Sequence, residues 1–224
     1  MTRRALSLPG LALVLLAAGS LAIGLQHLLL PAPVRHVMAA QFAGPDYVAR
    51  QSMAFDDHPL LINVHAAFGV VFALTAPVQF WSALRNRNRP LHRLLGYTFA
   101  ATALLVAVTG AAVAYVYPFT GAFGLLPNTL SAAAIIYATV RAVKAARRRD
   151  FVDHRAWMVR VTAIGLGIAL ARMYVLIFVQ VAGLSAQSAV ALSFWLGSGT
   201  LLLLAELYLA AGRPRRRAEA AKNR

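Results

Sequence analysis

An all-α fold, a polytopic bundle of six transmembrane helices with both termini cytoplasmic, is predicted by three observations. The chain of 224 residues is 60% hydrophobic and only 13% charged, and its mean hydropathy of +0.65 lies far outside the range of soluble domains. Apolar runs long enough for a hydrocarbon core of about 30 Å, which takes about 20 residues of helix, occur six times. Basic residues then fall on alternate sides of those runs. A single transmembrane domain accounts for residues 1–224.

The first run, Ala5 to Leu30, follows Thr2-Arg3-Arg4 in the manner of a signal peptide. Its apolar stretch exceeds the roughly 7–15 residues of a signal core, so it reads as an uncleaved anchor. Residues 31–59 form an external loop in which Val34, Val37, Met38 and Phe42 keep helical spacing, as a helix lying on the membrane surface would. Spans two and three run from Leu60 to Leu84 and from His92 to Tyr117. Span four, Leu126 to Ala146, opens on Pro127-Asn128, proline suiting a first turn, and its "SAAA" suits close packing. Spans five and six run from Arg155 to Ala182 and from Ser188 to Ala211, and a basic tail follows at 212–224. "GLGIALA" at 165–171 sits within span five, where its glycines read as a close helix contact. Trp81, Trp157, Tyr115, Tyr117 and Tyr208 lie near the expected interfaces, as belt anchors do.

The net charge of +15 takes its meaning from its distribution. Arg3 and Arg4, then Arg85, Arg87, Arg89 and Arg93, then Arg141, Lys144, Arg147, Arg148, Arg149 and Arg155, and finally the tail from Arg213 to Arg224 all fall on one side of the membrane. The opposite loops hold Arg35 and Arg50 among Asp46, Asp56 and Asp57. The positive-inside rule puts the basic side in the cytoplasm, as for a multi-pass protein of a bacterial inner membrane. The partners expected there are the bilayer and its anionic lipid headgroups, not nucleic acid. With no cysteine in the chain, disulfides, a lipoprotein anchor, cysteine-ligated clusters and covalently attached haem are excluded. No glycine-rich phosphate loop, Gly-x-Ser-x-Gly or His-Glu-x-x-His is present.

Ionisable groups are costly in a bilayer and mark polar sites. Span two holds His65, span five Arg160 and Arg172, and span six Glu206; His92 and His154 open spans three and five, and His27 lies near the outer end of span one. From the helical rise, His65 and Arg172 stand roughly 9 and 5 Å to the outer side of the midplane, so they could share a site. His154 and Arg172, five turns apart, would share one face of span five. His65, Phe72 and Gln79 form a second seam on span two. Glu206 requires a cation, with Arg160, His92 or His154 in reach. Each group also has a bland reading. Terminal histidines cap or snorkel, Arg160 snorkels, and His65 could be a hydrogen-bonded core residue. The two basic hairpins, "LRNRNRPLHRLLG" and "VRAVKAARRRDFVDHRAWM", both end in His-Arg, the mark of a short internal repeat.

From His58 to Val175 the chain resembles the bacterial membrane proteins grouped as domain of unknown function 2306. The pieces that carry the likeness are "INVHAAFGVVFALTAPVQFWSALRNRNRPLHRLLGY" at 62–97 and "DHRAWMVRVTAIGLGIALARMY" at 153–174. The resemblance implies a polar signature at His65, Gln79, His92, Arg93, His154, Arg155, Trp157, Met158, Arg160 and Arg172, and it implies no reaction. Tyr97 stands where the family usually has arginine, and "YPFTGAFGLLPN" lacks its common aromatic-rich start to span four.

Two readings follow. In one, the protein binds b-type haem or quinone for electron transfer. His92 and His154, or His27 and His65, would then be axial ligands, and Arg172 would be a counter-charge. In the other it is a non-enzymatic membrane subunit, assembly factor or small transporter whose His65, Arg172 and Glu206 bond between helices or line a small cavity. A proton relay is a third use of the span-five seam. Facing imidazoles separated by about 4 Å would favour haem, as two axial bonds require; packed side chains would favour the structural reading.

Overall fold

A computed structural model describes residues 7–57 and 59–222, from 213 onward as backbone alone. Arg3, Arg4, His58 and the side chains of the basic tail lie outside the described residues. These are almost entirely helical and contain no strand. Six helices are long and apolar enough to cross a membrane.

Helix α1 (Leu8–Leu29) is the first crossing. The loop expected after it is folded: α2 (Ala32–Ala43), α3 (Pro45–Tyr47), a π turn (Val48–Ser52) and α4 (Met53–Asp57) form a cap over one end of the bundle. Gly44, with φ +86, makes the corner between α2 and α3 that a side chain would strain. Val34, Val37 and Met38 remain exposed, whereas Ala43 and Tyr47 are buried against Phe119, Val175 and Val190.

The second and third crossings are α5 (Pro59–Gln79) and α7 (Arg89–Val116), joined by the short α6 (Ser82–Arg87). The fourth is α8 (Gly121–Arg147). It begins five residues before the expected start, so Pro127 falls inside the helix and not in its first turn. Proline has no N–H to give the carbonyl four residues back. That carbonyl belongs to Phe123, and it accepts instead from Nε1 of Trp195 on the sixth crossing at 3.0 Å. Trp195→Phe is therefore expected to cost about 1 kcal/mol. Pro127→Ala in the same chain should return most of it, because position 127 then has an N–H to give the Phe123 carbonyl. Thermal unfolding of the two variants in detergent checks this, and a double variant no more stable than Trp195→Phe would contradict the replacement of one donor by the other.

The fifth crossing is not continuous. It comprises α9 (Phe151–Gly165) and α10 (Gly167–Gln180), with Leu166 between them. The glycines around the break allow intimate contacts, as expected of "GLGIALA". A Cβ on Gly165 would stand 2.5 Å from the Phe72 ring, and one on Gly167 would stand 2.5 Å from Ser198 Oγ. The sixth crossing, α11 (Ala186–Lys222), answers with Gly197, whose Cβ would meet the Gly167 carbonyl at 2.5 Å and Ala171 Cβ at 2.8 Å. Here the backbones of α10 and α11 touch, as small residues permit between membrane helices.

Phe72 and Phe99 stack at mid-bundle with ring centroids 4.9 Å apart, surrounded by Ala76, Ala103, Ile135, Met158, Val161 and Leu166. Tyr117, expected as a belt anchor, is 8% exposed and packs against Phe55 of the cap. The cap takes it out of the surface.

Candidate functional site

The Asp150-to-Val161 stretch begins with a cap that the expected start of span five at Arg155 missed. Asp150 accepts from Asp153 N at 3.0 Å, and the helix starts at Phe151. Asn88 does the same for Leu91 N at 3.0 Å ahead of α7. Both are N-cap bonds that satisfy an orphan donor of the first turn. Four residues beyond each cap stands a histidine, His92 or His154, whose backbone N–H reaches its cap's carbonyl at 3.0 and 2.9 Å. The two hairpins are built alike, and both histidines lie one turn inside the same end, here termed the basic end.

Around them the residues separate. His154 donates Nδ1–H to the Ala142 carbonyl of α8 at 2.9 Å, a bond in which its Nε2 takes no part. His92 has a buried Nδ1 without a hydrogen-bond partner, as has the carboxamide nitrogen of Gln79. Arg155 donates to the Tyr208 hydroxyl at 2.6 Å, and Arg93 is exposed. Arg160 forms a two-pronged pair with Glu206, Nε to Oε1 at 2.5 Å and Nη2 to Oε2 at 2.9 Å. It also stacks 4.6 Å from the centroid of Trp157, whose other cation is Arg141 at 4.9 Å. Of the cations in reach of Glu206, Arg160 is the one that holds it.

At the other, capped end, His65 Nδ1 lies 2.9 Å from Thr109 Oγ1, and its Cε1 lies 3.0 Å from where Gly110 would carry a Cβ. The edge bearing both ring nitrogens is thus pressed onto α7. Arg172 reaches the Tyr47 hydroxyl with Nη1 at 3.4 Å, and its guanidinium lies 5.4 Å from the centroid of Phe42. His27 stands between these groups: Asn63 is beside it, its ring meets Phe55, and it lies within electrostatic range of both Arg172 and His65. His27 Nε2 is buried without a hydrogen-bond partner. Arg35 donates Nη1 to the His27 carbonyl at 2.9 Å, a cation at the end of α1 where the helix dipole favours one, and it pairs with Asp56, which His36 also contacts at 2.6 Å. Sequence reasoning named His27, His65 and Arg172 here. It missed Arg35, Asp56, Phe42 and Tyr47, since nothing in a loop's composition says where it folds back, and it passed over Asn63 in the first turns of α5.

Arg172 differs from two arginines of the cap and from the membrane arginine at the basic end. Arg35 has Asp56, Arg50 has Asp46 at 3.7 Å, and Arg160 has Glu206, whereas among the described residues no carboxylate pairs with Arg172. The expected seam from His154 to Arg172 is also closed. Met158, Val161, Leu166 and Ala169 lie between them, each at most 8% exposed, and Phe72 of the second seam fills the space beside Gly165. The two seams do meet, at a closed apolar layer, so the polar groups form two separate clusters.

Fold and site together define a polytopic helical membrane protein with polar groups gathered at each end of an apolar waist. Residues 62–209, about two thirds of the chain, match the family described as "Predicted membrane protein (DUF2306)", and the chain belongs to that family. The match runs past Val175 through most of the sixth crossing. Residues before 62, which supply His27, Arg35, Phe42, Tyr47 and Asp56, lie outside it. No curated protein and no solved structure matches the chain.

Proposed function

We propose that this protein is a non-enzymatic membrane subunit or small carrier that receives the anionic group of an amphiphile at Arg172, beneath the cap. One observation carries the reading: Arg172 has a phenyl face and one long hydrogen bond where the other membrane arginine has a carboxylate. Arg172 is half-buried, and a guanidinium at membrane depth without a counter-charge is costly, a cost that an incoming carboxylate or phosphate would offset. The unpartnered His27 Nε2 and the Tyr47 hydroxyl offer further contacts to such a group. On the positive-inside argument the basic end faces the cytoplasm of a bacterial cell and the cap faces outward, so the ligand would come from the outer leaflet.

The b-type haem or quinone reading gains nothing from this geometry. An axial histidine needs a nitrogen facing open space, and both nitrogens of His65 face α7. His92 and His154 stand in first turns, too near the helix ends to enclose a macrocycle. Two open grooves at the capped end, of about 330 and 640 Å³, are lined by no histidine.

The test uses the full chain in a neutral detergent, with laurate and its uncharged methyl ester as probes. Laurate should raise the melting temperature and the ester should not; Arg172→Gln should abolish the difference and Arg172→Lys should keep part of it. Equal effects of acid and ester on the unsubstituted protein would overturn the proposal.

A further inference from the structure

The basic end holds a second set of unmet hydrogen bonds. Gln79 is 7% exposed, its Oε1 lies 3.3 Å from where Gly96 would carry a Cβ, and its Nε2 has no partner. His92 is one helical turn from Gly96, on the same face of α7, with Nδ1 unpartnered. His154 is one turn from the buried Met158 and lies within electrostatic range of His92. Gln79 is likewise one turn from Ala76, which is 0% exposed. All three therefore lie on the core-facing stripes of α5, α7 and α9, just beyond the apolar waist, and converge at the bundle axis.

What this place lacks is an acceptor. Three acids belong to the described part of this end, and each is engaged: Asp150 caps α9, Asp153 faces Arg141 at 3.9 Å, and Glu206 holds Arg160. Arg85 adds a positive field at His92, and the first turns of α7 and α9 add the positive ends of two helix dipoles. Unpaired donors in a positive field, with no carboxylate supplied by the protein, suit an oxyanion with several oxygens.

We propose that Gln79, His92 and His154 form a phosphoryl-binding site at the basic end. Gln79 Nε2 and His92 Nδ1 donate to phosphoryl oxygens, and His154, anchored through Nδ1 on Ala142, donates Nε2–H to a third as the imidazolium that a bound anion favours. The phosphoryl group could belong to a lipid headgroup or to a free phosphate compound, and these sources are separable. This site shares no residue with the one at Arg172, and the failure of either proposal leaves the other standing.

The experiment uses the delipidated full chain in neutral detergent and reads thermal shift and native mass. The probes are dioleoyl phosphatidic acid, inorganic phosphate and dioleoylglycerol, the last having no phosphoryl group. Phosphatidic acid should bind and stabilise while dioleoylglycerol does not. Added inorganic phosphate should compete only if the site takes free phosphoryl groups. Gln79→Leu and His92→Phe should each weaken binding about tenfold. Gln79→Glu, which keeps the shape and sets a carboxylate beside His92, should abolish binding in a chain that still melts cooperatively. Arg93→Ala, at an exposed position, should change binding little. Binding by neither phosphoryl probe, undiminished binding in Gln79→Glu, or an equal loss in Arg93→Ala would each overturn the proposal.

Discussion

Gly197→Leu is expected to be among the most damaging single substitutions in this chain, because it forces α11 away from α10. The added Cβ would stand 2.5 Å from the Gly167 carbonyl and 2.8 Å from Ala171 Cβ, and neither is the movable end of a flexible side chain. Overpacking of this kind costs about 3 kcal/mol, or roughly 6 to 12 °C in melting temperature at this chain length. Gly199 supplies the control. It lies two residues further along the same helix, and a Cβ there would meet nothing within 4 Å, so Gly199→Ala should be neutral or slightly stabilising. If melting in detergent puts the two variants together, the contact between α10 and α11 is not as close as described.

The second large effect is expected at Glu206. Its carboxylate takes both prongs of Arg160, and the Arg160 side chain is 18% exposed. Glu206→Leu leaves that guanidinium with the Trp157 ring beside it and Asp153 as a carboxylate within electrostatic range, and with the Glu206 side chain 42% exposed the cost is about 1 to 2 kcal/mol. Removing both charges is different. A Glu206→Leu, Arg160→Met chain should recover most of the loss, since an ion pair replaced as a unit by apolar groups is often neutral. Thermal melts of the two single variants and the double variant form the cycle that measures this. Additive losses would mean that the pair is no more than a surface contact.

The bundle itself was legible because membrane crossing is dictated by composition: six apolar runs with basic residues on alternate sides leave few other folds. Boundaries were less legible where a polar residue works locally. Asp150 reads as one more charge in a basic loop, yet it caps α9 five residues before the expected start, and Pro127 reads as a helix start because the donor that replaces its N–H comes from Trp195, two crossings later in the chain. The interruption at Leu166 could not be read from periodicity, for the apolar run continues through it. Of the candidate site, the depth argument brought His65 and Arg172 to one end and His92 and His154 to the other. Depth says nothing of rotation about a helix axis. That is why the pressing of His65 onto Gly110, and the division into two clusters at a phenylalanine pair, needed coordinates. The cap's contribution to Arg172 was hidden for another reason: Phe42 and Tyr47 are ordinary loop residues until the turn at Gly44 folds them back.

The Phe72–Phe99 pair has an electrical consequence. Polar groups reach inward from both ends of the bundle, while the layer between them is apolar and closed. A membrane voltage falls mainly where polarisable material is scarcest, so it concentrates across these few side chains, not evenly over the bilayer's full thickness. The Arg172 guanidinium and Gln79 thus lie on opposite sides of this layer, and an anion bound at either, as proposed above, would be felt at the other through the field alone.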